Sequence, residues 1–137
     1  MSKQPIVTRI YADLKKAFSG IAEKLYFGRP KTVDSTVISF LSIELPANIQ
    51  DITTGHSDYV INTTGVVTLY VKAKSDSTLN VNTQTKLAQE VLDRFPINGE
   101  VIVASNPTMR NLGFDGYGFN QVYFLFKIRT KMNINNQ

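Results

Sequence analysis

Apolar and polar positions along the chain change period several times, and each change marks an element. From Pro5 to Tyr26, Ile10, Leu14, Phe18, Ile21 and Leu25 recur at helical spacing, with Asp13, Lys15, Lys16, Glu23 and Lys24 largely opposite. This predicts an amphipathic helix over Pro5–Tyr26, loosened at Ser19-Gly20 and stopped by Gly28 and Pro30. Thr32–Leu45 carries Val37, Ile38, Phe40, Leu41 and Ile43 on both sides of an alternation, which predicts a strand buried on both faces or against a neighbouring subunit. Ala47–Ser57 has turn composition and reads as a surface loop or an excursion from the sheet, and Asp58–Asn62 as a short strand. Thr63-Thr64-Gly65 reads as a turn into the strand Gly65–Lys74, where Val67, Leu69 and Val71 alternate with Thr68, Tyr70 and Lys72.

The polar stretch Ser75–Asn82 leads to a helix at about Thr83–Phe95, with Leu87, Val91 and Phe95 on one side. Asn80, Asn82 and Thr83 are all chemically able to cap it. Pro96 ends the helix, and Asn98-Gly99 turns the chain into a strand at Val101–Ala104. Ser105–Gly118, with Asn106-Pro107, Gly113, Gly116 and Gly118, reads as a loop. It is an unusually apolar one, since Met109, Leu112, Phe114, Tyr117 and Phe119 lie in or beside it, so it either packs back on its own domain or forms a contact surface for a partner. Phe119–Thr130 alternates again: Val122, Phe124, Phe126 and Ile128 one way, Tyr123, Leu125, Lys127 and Arg129 the other. Met132–Gln137 reads as a frayed tail. The order is helix, three strands, helix, two strands. It predicts an α+β two-layer sandwich, a mostly antiparallel sheet with both helices on one face, in a single domain over 1–137.

Composition narrows the function classes more than it selects one. The chain has 137 residues, enough for one real core, and a formal net charge of +4. It has no cysteine, which excludes disulfides and thiolate metal sites. No apolar run reaches the roughly 18 residues of a membrane span, and Met1–Pro5 lacks the apolar core of a signal peptide, so no membrane partner is expected.

No set of residues reads as catalytic. His56, the only histidine, stands in a polar Thr-Gly-His-Ser-Asp setting and reads as an exposed loop residue rather than a general base. Glu90 and Asp93 share a helix face, with Arg94 and Lys86 close enough to balance them. The glycines at 113, 116 and 118 precede a strand, not a helix, so they do not build a phosphate loop. No enzyme activity, cofactor or metal is expected, a small enzyme whose site only the fold assembles being an alternative. The basic positions Lys72, Lys74, Lys127, Arg129 and Lys131 could share a sheet surface with Tyr70 and Tyr123, the arrangement of a sheet-surface nucleic-acid binder, although the aromatic RNP motif is absent.

From Gly65 onward the chain resembles the tail-terminator and tail-completion proteins of bacteriophage necks. The elements that carry the resemblance are Val66–Val71, the helix around Lys86–Leu92, Gly99–Ser105, the Asp115-Gly116-Tyr117-Gly118 turn and the Val122–Thr130 strand, with the leading helix in the matching place. The likeness is one of element order and pattern, and 32–62 carries less of it. It implies a structural virion protein without catalytic residues, assembled in the host cytoplasm into a ring, commonly a hexamer or a dodecamer, at the neck or tail. It also implies docking to other neck and tail proteins. A ring of this kind needs two different contact patches per subunit. Met109, Leu112, Phe114, Tyr117 and Phe119, together with Ile49 and Ile52, are the expected interface residues. Lys72, Lys74, Lys127, Arg129 and Lys131 are the expected DNA-facing cations of a channel.

Overall fold

The structure is a computed structural model that describes residues 6–46, 51–55 and 58–131, with backbone alone for 51–55 and 58–61. Its elements are α1 (Ile6–Phe18), β1 (Lys24–Phe27), β2 (Ser39–Glu44), β3 (Asp51–Gly55), β4 (Asp58–Lys72), α2 (Val81–Asp93), β5 (Ile97–Asn98), β6 (Ile102–Phe114) and β7 (Phe119–Thr130). The strands form one seven-stranded sheet in the order β1-β2-β4-β7-β6-β5, with β3 also on β4. Every pairing is antiparallel except that of β1 with β2. Both helices lie on one face. Ile10, Leu14 and Phe18 of α1 and Leu87, Ala88 and Val91 of α2 share one core with Val67, Leu69, Phe124, Phe126 and Ile128 of the sheet. The fold is α+β, as the periodicities predict.

Four elements differ from the sequence reading, and one of them is the loop expected at Ala47–Ser57, within which Asp51–Gly55 is the strand β3 paired antiparallel with β4. The helix expected over Pro5–Tyr26 is a helix and a strand. Gly20 takes a φ of 83°, which ends α1, and Lys24–Phe27 then pairs parallel with Phe40–Ile43. Ile21 and Leu25 still reach the core, so a helical spacing was satisfied by a different backbone. The turn expected at Thr63–Gly65 is the middle of the 15-residue β4. Gly65 sits opposite Phe126, and a Cβ there would lie 2.8 Å from the Phe126 ring and from Ile128 Cδ1. The glycine lets a large ring lie flat on its neighbour strand.

The fourth difference is the apolar loop, which is a strand. β6 runs to Phe114 with register shifts at Ser105/Thr108 and Asn111/Gly113. Pro107, which has no N–H, falls in the first gap, and Asn106 beside it has a φ of 57°. In the second gap the Asn111 side chain accepts the Gly113 N–H at 3.1 Å. The residues that looked like strand breakers are the bulges of a long strand.

The connections are tied by charged side chains. Asp13 of α1, 8% exposed, accepts the N–H groups of Glu100, Val101 and Ile102 at 3.0, 2.7 and 3.1 Å. Arg94, at the end of α2, donates to the carbonyls of Ala17 and Ser19 at 2.7 and 3.1 Å, covering open acceptors at the end of α1. Asn80 is the cap of α2, its side chain accepting the Thr83 N–H.

Candidate functional site

A smaller cluster lies on the sheet face away from the helices. Phe40 and Tyr70 stack at 4.3 Å between ring centroids, and Phe119 meets Phe40 edge-on at 5.2 Å. With Val37 they form a second buried cluster, which explains why β2 is covered on both sides. Arg29 closes it. Its guanidinium carbon stands 4.7 Å from the Tyr70 ring centroid and 5.4 Å from that of Tyr117, and Nη1 reaches Asp115 Oδ2 at 2.6 Å. Asp115 also accepts the N–H groups of Tyr117 and Phe119, so one carboxylate organises the β6–β7 turn. Burial alone would raise the Asp115 pKa, but those N–H groups and Arg29 outweigh it and hold the carboxyl below its usual range. Burial likewise raises the Tyr70 phenol, against the opposing pull of Arg29.

The expected interface residues do not all stand together. Met109, Leu112 and Phe114 are each about half exposed along β6, and Tyr117 at the turn is 80% exposed. Phe119 is not an exposed contact residue. It is buried in the second cluster, because its side chain fills the space beside Phe40 that the β6–β7 turn would otherwise leave open. Ile49 lies outside the described residues. Ile52 sits on β3 opposite Ile61, where only the backbone is described. Beyond its two-residue pairing with β5, β6 has no strand partner on its outer side among the described residues, so positions 105–114 form an open sheet edge there. On its helix side Met109 and Asn111, with Ala88 and Leu92 of α2, line a groove of about 220 Å³.

The opposite edge of the sheet is β1, which the sequence reading had placed in a helix. Phe27 is 53% exposed there, its ring 4.9 Å from Tyr11 of α1. Phe27, Tyr11, Ala12 and Leu45 form the apolar part of a hollow of about 620 Å³. An isolated aromatic after a Lys-Leu-Tyr run carries no distinctive signal, which is why this edge was not legible.

The five expected basic residues separate into two groups. Lys72 donates to the Ser35 carbonyl at 2.8 Å and Lys131 to the Gly99 carbonyl at 2.6 Å, so both serve the fold. Lys74 is exposed past the end of β4. Lys127 and Arg129 stand exposed on the outer face of β7, on an open groove of about 660 Å³ that Asn62, Thr64 and Ser105 also line.

His56 lies outside the described residues. Asp93 is engaged by Gln89 at 2.8 Å. Among the described residues no three of His, Asp and Glu gather as a metal site. No helix among them is long and apolar enough to cross a membrane.

No family model matches the sequence. No characterised protein matches it either. Several solved structures are similar to the chain, among them one that matches with a TM-score of 0.60 and 14% identity over 91% of this chain and 95% of that one. Its name carries no functional description, so this chain is similar to it in fold alone.

Proposed function

We propose that the protein is a structural ring subunit of a phage neck or tail, acting by self-association and by docking to neighbouring virion proteins. The observation that carries the reading is the pair of unlike open edges at opposite ends of one sheet. β6 offers a long edge with Met109, Leu112 and Phe114, and β1 offers a short one with Phe27. An uncovered edge bearing apolar side chains invites association. Two different patches on opposite sides suit a head-to-tail contact, which closes into a ring when the rotation allows. The phage setting rests on the likeness of element order to tail-terminator and tail-completion proteins.

The test is the mass of the purified protein in solution, by native mass spectrometry or light scattering, over a wide concentration range. A closed oligomer, a hexamer or dodecamer in the proposed setting, is the expected result. A monomer at every concentration, unchanged when neck and tail proteins are added, would count decisively against it.

A further inference from the structure

The outer face of the three central strands has a charge pattern that neither the core nor the edges require. The ladders set it out in four rows: Asn62–Arg129–Val103, Thr64–Lys127–Ser105, Val66–Leu125–Thr108 and Thr68–Tyr123–Arg110. Across these twelve positions there are three cations and no carboxylate. None of the three has an ion-pair partner among the described residues. The nearest acidic positions in the sheet are Glu44 on β2, beside Val66, and Asp51 on β3, beside Asn62. Both lie one strand beyond β4, on the side away from β6. The cations therefore lie along β7 and β6, with hydroxyl and amide side chains at Thr64, Ser105 and Asn62 as further hydrogen-bonding groups.

We infer that this face binds single-stranded nucleic acid through its backbone, without reading sequence. Lys127 and Arg129 are two residues apart on one strand, about 7 Å along it, and face the same way. They form a short positive track for successive phosphates. Tyr123 and Leu125 continue the same column and supply a half-open platform on which a base can lie, and Arg110 stands beside Tyr123 at the far end. Cations for phosphates and an aromatic face for a base are the two components of sequence-tolerant strand binding. An acidic protein would use the cations but not the platform. A duplex keeps its bases stacked inside and would leave Tyr123 idle. The inference does not depend on ring formation: β6 contributes to both surfaces, but Lys127, Arg129 and Tyr123 lie on β7, which is paired on both sides.

The experiment is fluorescence anisotropy of the full chain with a labelled oligothymidylate of about 15 nucleotides, at rising salt. Three phosphate contacts give a slope of log K against log salt of about −2, at about −0.7 per contact. Lys127→Ala/Arg129→Ala is expected to weaken binding at least tenfold and bring the slope near −0.7. Tyr123→Ala is expected to weaken binding with the slope unchanged. Lys15→Ala/Lys16→Ala, which removes the same charge from exposed positions on α1, is expected to change it little. Circular dichroism of each variant reports retention of the fold. The inference is overturned by any of three results: no binding at low salt, equal loss in the α1 control, or polyglutamate or duplex DNA binding as tightly as the single strand.

Discussion

Asp13 and Val101 are 88 positions apart, yet the Asp13 carboxylate accepts the Val101 N–H at 2.7 Å in a buried setting. The same carboxylate takes the N–H groups of Glu100 and Ile102, so three donors at the entry to β6 depend on one side chain of α1. Asp13→Ala leaves those donors without their partner and is expected to cost roughly 2–4 kcal/mol. Asp13→Asn, which keeps one oxygen, should cost less. Urea denaturation of the two variants against the parent checks the order.

Two glycines are held by what faces them rather than by their own backbone angle. A Cβ at Gly99 would lie 2.5 Å from the Asp13 carboxylate, and one at Gly65 would lie 2.8 Å from the Phe126 ring. Gly65→Ala and Gly99→Ala are each expected to destabilise by about 1–3 kcal/mol through overpacking. Gly20→Asn is the contrasting case. Its site has open space and a positive φ, which asparagine tolerates, so the loss there should be smaller. Thermal melts of the three variants separate crowding from backbone strain.

Acid should loosen the β6–β7 turn. The Asp115 carboxyl is held below its usual range in the fold, so it contributes stability that is complete above the unfolded carboxylate value, about 3.9. That contribution is lost as pH falls through the lower folded value. Parent and Asp115→Asn proteins should therefore differ in denaturation midpoint at pH 6 and converge toward pH 2. A difference that stays constant down to pH 2 would mean that the carboxylate charge is not what holds the turn.

Arg29→Lys keeps the charge but loses the planar group that lies over Tyr70 while reaching Asp115. It is expected to cost about 1 kcal/mol and to raise backbone amide exchange at Tyr117 and Phe119, whose N–H groups Asp115 holds. Exchange confined to those amides would support a local clamp, and exchange throughout β7 would refute it.

Placing a charge on the β6 edge tests the proposed assembly surface. Leu112→Asp and Met109→Asp alter half-exposed side chains and should change stability by less than about 1 kcal/mol. They are expected to shift the oligomer toward monomer in light scattering, and Phe27→Asp at the other edge should do the same. Retention of the parental mass in all three would show that neither edge is a subunit contact.

The layer arrangement was legible because it follows local alternation. β7 and the second half of β4 each show a period of two, and α2 shows its helical stripe without a competing signal. What the sequence hid is tertiary. Gly65 looks like a turn residue until Phe126 is seen lying against it, and Asn106-Pro107 looks like a breaker until the ladder is seen to skip it. Asp13 falls on the polar side of a helical pattern that continues past Gly20, so its burial against residues from the far end of the chain left no mark. The candidate surfaces were half legible. The apolar content of Ser105–Gly118 pointed to β6, but the separation of Lys127 and Arg129 from Lys72 and Lys131 depends on carbonyls contributed by distant loops.

The reach of Asp13 also bears on how the chain is made. α1 is synthesised first, but the donors it anchors, and the β4–β7 face it covers, arrive much later. Leu41 and Ile43 emerge sooner, yet they belong to β2, whose own partner is β4. During translation the amphipathic helix therefore leaves the ribosome with its apolar stripe unburied. The Asp13 carboxylate waits for 88 further residues before Val101 arrives, an interval in which a chaperone, or a second nascent chain, has access to the helix.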